Sequence, residues 1–508
     1  MKREPSKYQK VILDFVKDGR GHGAVNAVAG SGKTTTLEMI CEFLKGSSAV
    51  FLAFSKAIAE ELKTRLPGIE CRTIHSLAFG AVRMFYKSTR VETGKYRNLL
   101  LDLFENRDPV VMHLIEAERE DQDFDAMGSI LKLFSLCRST LTDINNMSDL
   151  EDLCSHYEID LGYDLLEKSQ KVLKHLNSKG EERAPHEIDF NDQLYYTANN
   201  SKITPKKFDF VLVDECQDLS KAQLEVVKKA LKRGGRAIFV GDPSQAIFGF
   251  AGADSESFQR IVSDMKCTEL PLSCCYRCPS SHVELAKEIV PQIEAREDAP
   301  IGIIRNIKQD KIQEEIKQDD MILCRTTAPL IDLCLKLISA GLPARVKGRD
   351  IGASIVAVAK KITKRRGFNW ENFVAFADQY RHNEVQKILR KNRNDEDDPR
   401  IQAVVDKVSC VVTIVTSKDE PILSIRALED VVNDIFSDNV SGVTLSTVHR
   451  AKGLEGDRIF ILRPDLLPGP WAKKGTWQYQ QEMNLKYVAL TRSKNELIFV
   501  EKSSPSSL

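Results

Sequence analysis

Residues Ala27–Thr34 read AVAGSGKT, directly after an apolar run and leading straight into the helical stretch TTTLEMICEFL. A loop of Gly30, Ser31 and Gly32 at a helix N-terminus lets backbone N–H groups close around phosphates. Lys33 then reaches the β- and γ-phosphates and the Thr34 hydroxyl ligates Mg²⁺, with Ala29 and Thr35 completing the cradle. The strict pattern GxxxxGK[ST] has Ala27 where its first glycine belongs. The cradle depends on the later glycines, so the assignment stands. A second stretch, VLVDECQD at Val211–Asp218, carries an apolar strand to the edge of a sheet and delivers paired carboxylates there. In that reading Asp214 holds Mg²⁺ and Glu215 polarises the attacking water. The two motifs together point to hydrolysis of a nucleoside triphosphate.

Outward from these motifs, short apolar runs alternate with longer helical patterns, the punctuation of a parallel α/β fold. Candidate strands are 24–29, 49–54, 208–213 and 236–240 in one stretch, and 321–324, 443–448, 458–462 and 497–500 in another. Each stretch is interrupted by a charged, helix-biased insertion. The expected division is lobe one at 1–85 and 186–270 with insertion 86–185, and lobe two at 271–350 and 441–508 with insertion 351–440. At 508 residues, several domains are required.

Lys+Arg and Asp+Glu balance at 73 each, so whole-chain charge draws no polyanion and any nucleic-acid site must be a local groove. Lys360, Lys361, Lys364, Arg365 and Arg366 form one such basic cluster, equally readable as a solvated helix face. The opening MKREPSKYQK has no apolar core and no run reaches the length of a membrane span. The expectation is an intracellular protein, cytoplasmic or nucleoid, without membrane contact. The twelve cysteines then read as reduced thiols. Cys274, Cys275 and Cys278 include a CxxC, but a four-ligand metal site needs a second half that is missing.

From here the chain resembles the superfamily-one A helicases of the UvrD, Rep and PcrA type, whose motifs recur in family order across both lobes but not the insertions. Tyr8-Gln9 sits where the family reads adenine. FSKAIAEELKTR (Phe54–Arg65) resembles motif Ia and TIHSLAF (Thr73–Phe79) motif Ib, implying DNA contacts by Phe54, Ser55, Lys56, Thr73 and His75. Asp189-Phe190-x-Asp192 resembles the segment that re-enters the first lobe. Asp214–Asp218 matches DEXQD, with Gln217 as γ-phosphate sensor. GDPSQAIFGFAGA (Gly241–Ala253) resembles motif III, in which Gln245 couples γ-phosphate to DNA and Phe248 and Phe250 stack on bases. The family often has Trp-Arg where this chain has Phe250-Ala251, so the arginine of that pair is missing here.

LSCCYRCPSSH (Leu272–His282) resembles motif IV, with Tyr276 on adenine and Arg277 toward the γ-phosphate; the family's usual Asn is Cys275 here. TLSTVHRAKGLEGDRIFIL (Thr444–Leu462) resembles motif V, implying Thr447 and His449 at DNA and Glu455 at the ribose. EMNLKYVALTRSKNELIFV (Glu482–Val500) resembles motif VI, with Arg492 a second arginine finger. The resemblance implies two RecA-like parallel-sheet lobes, each with a mainly helical insertion. It also implies an ATP- and Mg²⁺-dependent motor moving 3′→5′ on single-stranded DNA and unwinding duplex DNA. Single-strand-binding, repair or replication proteins are the expected partners, and the chain a monomer or weak oligomer. Two alternatives remain open: a translocase that strips proteins from DNA with little unwinding, and a helicase subunit of a larger repair complex. No stretch after Arg492 is long enough for a nuclease.

Overall fold

The structure is a computed structural model that describes residues 4–120, 126–157, 159, 161, 163–247, 249, 256–391, 396–416, 422–436 and 442–502. The chain divides into two compact units, Met1–Val28 with Gly32–Ser273, and Ala29–Ser31 with Cys274–Leu508.

The first unit is built on six strands, β1 (Gly23–Ala27), β2 (Ala49–Ala53), β3 (Glu70–Thr73), β4 (Phe208–Val213), β5 (Leu231–Gly241) and β6 (Thr268–Leu272), in the order β3-β2-β4-β5-β1-β6. All neighbours are parallel. Helices cover both faces, which is why the buried stretches of the inner strands are mostly apolar. One face packs Val25, Phe51, Leu212 and Ile238 against Leu37 and Ile40. The other packs Val50, Val211, Val213 and Phe239 against Leu224 and Ile261. The helices between Lys95 and Arg183 carry a cluster of their own around Leu100, Ile130, Leu133, Leu173 and Leu176.

The second unit has the strands β7 (Ile303–Lys308), β8 (Met321–Cys324), β9 (Ala344–Val346), β10 (Val443–Thr447), β11 (Gly456–Leu462) and β12 (Ser493–Glu501), in the order β7-β12-β11-β8-β10-β9 and again parallel throughout. Its helices Arg349–Thr363, Pro399–Thr416 and Ile425–Ile435 share one core with the sheet, where Ile355, Val411 and Leu428 join Ile322, Leu445 and Phe460.

Eight strands were expected, and the structure has all eight as the inner strands of the two sheets. Of the strands in these two sheets, the four not foreseen, β3, β6, β7 and β9, are the four edges. An edge strand is covered on fewer sides and mixes polar with apolar residues; ECRT at β3 and IIRNIK at β7 are half-exposed examples. Boundaries also move. Strand β1 stops at Ala27, which gives Val28 and Ala29 to the loop, and β5 begins at Leu231 with a register shift near its start.

Candidate active site

In the first unit the predicted residues gather beyond the carboxyl ends of parallel strands, where open α/β sheets hold ligands. Strand β1 leads into the loop, and Gly32 takes φ +80° to turn the chain into the helix Lys33–Phe43. A side chain at Gly32 would be strained in that conformation. No side chain caps this helix, so its first N–H groups are available to an anion. The Ser31 hydroxyl is buried in the same loop without a hydrogen-bond partner.

Strand β4 delivers Asp214 and Glu215. Glu215 adopts φ +51°, a left-handed conformation that costs a non-glycine residue about 1–3 kcal/mol. Its carboxylate meets Lys33 Nζ at 3.0 Å. Asp214 receives a hydrogen bond from the Thr34 side chain, while burial and then the neighbouring Glu215 raise its carboxyl to about 7. Burial also opposes the charge of Lys33, yet Glu215, Asp242 and Asp214 outweigh it and hold the ammonium above its ordinary value.

A carboxamide relay joins β4 to β5. Gln217 Nε2 donates to Glu215 at 2.6 Å and Asp218 at 3.1 Å, and its Oε1 accepts the Asp242 N–H at 3.0 Å. Asp242 in turn accepts from Gln245 Nε2 at 2.7 Å. A side chain at Gly241 would lie 2.5 Å from Gln217 Oε1, so glycine permits this approach. Asp242 escaped the sequence reading, although its place next to Gly241 at the end of an apolar run was a usable signal.

Gln9 is buried and engaged. Its Oε1 caps the helix Lys7–Asp18 by accepting the Ser6 N–H, and its Nε2 donates to Thr36 Oγ1 at 3.0 Å. Thr35 lies in the first turn of the helix Lys33–Phe43. Of the expected DNA contacts, Phe54 and Lys56 are exposed beyond β2. Ser55 and Thr73 spend their hydroxyls as helix N-caps, accepting from Ile58 and Ser76 N–H groups. His75 meets the exposed Phe190 edge-on with ring centres 6.3 Å apart, and burial lowers its pKa. Phe248 and Phe250 lie outside the described residues.

Asp192 follows Phe190 as the centre of a buried cluster that sequence reading missed. Its carboxylate accepts from Lys95 Nζ and the Tyr96 hydroxyl at 2.7 Å each, and from the Arg138 guanidinium. Those cations stand on separate helices, far apart in sequence, so no local pattern announces them.

In the second unit Arg277 Nε meets Glu455 at 2.7 Å, and Lys494 holds the other oxygen of that carboxylate at 2.7 Å. Tyr276 is half-exposed, and its N–H donates to the Gly30 carbonyl; the Ala29 N–H donates to the Tyr487 hydroxyl at 2.8 Å. Arg492 is buried. It donates to Val488 O, Leu454 O and Thr491 Oγ1, which are neutral acceptors. Thr447 ends β10 and is buried. His449 follows it, and burial together with Arg325 lowers its pKa to about 3, so the ring is neutral. Among the described residues no cluster of three or more His, Cys, Asp or Glu side chains forms a metal cage, and no helix is long and apolar enough to cross a membrane.

Residues 10–266 match the family model of the UvrD/REP helicase N-terminal domain. The chain is 24% identical to F-box DNA helicase 1 of Gallus gallus, over 93% of its own length and 47% of that protein. It is 23% identical to F-box DNA helicase protein 1 of Schizosaccharomyces pombe, over 96% and 56%. Against the ATP-dependent DNA helicase PcrA of Staphylococcus aureus the identity is 21%, over 97% and 82%. The chain thus spans about half the length of the two F-box relatives.

Proposed function

The chain belongs to the UvrD/REP helicase family, and from that premise we propose that it is an ATP-driven motor that moves 3′→5′ along single-stranded DNA and unwinds duplexes. The observation that carries the reading is the cluster of Lys33, Asp214 and Glu215 beneath an uncapped helix N-terminus. The loop from Ala29 to Gly32, with Lys33 and Thr35, takes the triphosphate. The buried Ser31 hydroxyl, without a hydrogen-bond partner among the described residues, is one donor to it.

The site fits Mg²⁺. Thr34 and Asp214 offer hard oxygen donors, and the raised Asp214 carboxyl marks a surplus of buried negative charge that a cation relieves. Thr34 and Asp214 would hold the ion, which neutralises charge on the phosphate oxygens. Lys33 pairs with Glu215. Phosphates draw Lys33 away, and the freed Glu215 carboxylate takes the proton of the attacking water. Gln217, Asp242 and Gln245 carry the presence of the γ-phosphate from β4 to β5.

Arg277 and Arg492 supply the cations that stabilise transfer, as arginine fingers do. Gln9 and Tyr276 hold adenine and Glu455 the ribose. DNA runs over Phe54, Ser55, Lys56, Thr73, His75, Phe248, Phe250, Thr447 and His449, with aromatic stacking tolerant of sequence. Residues 1–85 with 186–270, and 271–350 with 441–508, form the RecA-like lobes, and 86–185 and 351–440 the accessory insertions. Single-strand-binding or repair proteins complete the set of partners.

ATPase and strand-separation assays on 3′-tailed, 5′-tailed and blunt DNA, with an RNA control, test this. The expected result is hydrolysis stimulated by single-stranded DNA and unwinding of the 3′-tailed duplex alone. Unwinding from 5′ tails reverses the polarity. Displacement of streptavidin from DNA without strand separation replaces the helicase by a translocase.

A further inference from the structure

The segment Cys275-Tyr276-Arg277-Cys278 places two of the proposed nucleotide-handling residues between two cysteines. It is a bend, and its ends fold back on each other: the Cys278 N–H points at Cys275 Sγ, 3.4 Å away. Cys278 Sγ donates to the Thr491 carbonyl at 3.6 Å, the same oxygen that accepts from Arg277 Nη1 at 3.2 Å. Arg277 thus shares its anchor with a thiol.

The chemistry of the pair is unlike that of the other cysteines. Burial pushes Cys41, Cys137 and Cys334 up to about 12. Cys275 is held down at about 7, first by the neighbouring Cys278 thiol, against burial, and then by the N–H groups of Cys278 and Arg277 and the Arg277 charge. Cys278 moves up, chiefly through its interaction with Cys275 and then through burial. A depressed thiol beside a second thiol has the chemistry of a nucleophile with a resolving partner.

We propose that Cys275 and Cys278 form a redox-active pair, which a peroxide closes into an intrachain disulfide that slows nucleotide turnover by displacing Tyr276 and Arg277. The Cys275 thiolate attacks one peroxide oxygen, the O–O bond breaks, and the departing hydroxide takes up a proton as water. Cys278 sulfur then attacks the resulting sulfenic acid, the S–O bond breaks, and a second water carries away the Cys278 proton. Two thiols and one hydrogen peroxide give one disulfide and two waters. Both sulfurs are buried, so the reaction proceeds through opening of the bend whose middle residue, Tyr276, is 39% exposed. Closing the bond removes the thiol from Thr491 and pulls the bend shut beneath Arg277. The effect on turnover rests on the function proposed above, whereas formation of the bond does not.

The full reduced chain is treated with hydrogen peroxide, alkylated, digested and weighed, and its DNA-stimulated ATPase is read in parallel. The expected result is a peptide carrying Cys275 and Cys278 that resists alkylation at both and is lighter by two hydrogens. ATPase falls about tenfold, a small part of the roughly 10³–10⁵ that a placed arginine finger contributes, and dithiothreitol restores it. Cys278→Ser, and independently Cys275→Asn, keep basal ATPase and resist peroxide. Alkylation of both sulfurs after peroxide overturns the pair. A disulfide with undiminished ATPase overturns the control of turnover. An absent ATPase in the reduced chain sinks the motor assignment, and with it that control, while the peptide masses still decide whether the pair forms.

Discussion

The two units share a six-stranded parallel plan and put opposite charges at its functional edge. The first gathers Asp214, Glu215 and Asp242 around Lys33, where burial raises both aspartate carboxyls and the acids together hold the lysine charged. The second gathers cations: Arg492 among neutral oxygens, and Arg277 with Lys494 on Glu455. In the function proposed above, the carboxylates of one sheet take the divalent cation and the arginines of the other face the phosphate. Fold alone does not set this difference, since both sheets have the same strand sense. The residues that follow each strand set it.

The comparison breaks most completely at Lys33. Lys33→Ala leaves the acids of the first unit without their internal cation, and ATP turnover falls to the background of the assay while the circular-dichroism spectrum stays that of the wild type. Undiminished hydrolysis would falsify the phosphate-loop assignment. In the second unit Arg492→Ala lowers turnover by roughly 10³–10⁵, the range of an arginine finger, with ATP affinity nearly unchanged. Arg277→Ala acts in the same direction. Parallel loss of affinity and turnover would make either arginine a binding residue instead.

The acid side is sharpened by pH. The Asp214 carboxyl is raised from 3.8 to about 7 in the folded chain, so its contribution to stability is complete below about 3.8 and is lost as pH rises through 7. The nucleotide-free wild type is therefore expected to lose melting temperature between pH 5 and pH 8 relative to Asp214→Asn. Each kcal/mol lost shifts melting by roughly 2–4 °C in a unit of this size. Added Mg²⁺ takes the place of the proton and narrows the gap. Identical profiles for the two proteins would separate Asp214 from the charged cluster.

Legibility followed burial. The inner strands of both sheets were readable because two covered faces demand continuous apolar runs, as at Val211–Val213 and Phe460–Leu462. The edges were not, because β3 and β7 satisfy the sheet on one side and water on the other. At the site, AVAGSGKT and VLVDECQD carry their chemistry within a few consecutive residues, and the structure brings Lys33, Asp214 and Glu215 together. What stayed hidden was assembled from afar. The Asp192 cluster draws Lys95 from 97 residues away, and the Asp242 N–H reaches Gln217 across 25. The N-cap roles of the Ser55 and Thr73 hydroxyls were also hidden, since a family position does not say that a side chain caps a helix.

Glu455 offers the smallest effect and the finest distinction. The family resemblance gives it the ribose, but in the structure it sits between Arg277 and Lys494, whose charges and hydrogen bonds keep its pKa low even though burial works against them. The residue is largely open to solvent, so these pairs contribute only about 0–1 kcal/mol, and Glu455→Gln changes either affinity or turnover by at most roughly fivefold. The direction separates the two roles. If the carboxylate holds the ribose, glutamine weakens nucleotide binding and leaves the turnover rate of bound ATP unchanged. A carboxylate that restrains Arg277 does the reverse: its neutralisation releases the guanidinium, and single-turnover hydrolysis quickens at unaltered affinity. The ribose role proposed for Glu455 predicts the first outcome, in which its pairs with Arg277 and Lys494 yield to the nucleotide. Slower hydrolysis with intact affinity would mean that Glu455 aims Arg277 instead of restraining it.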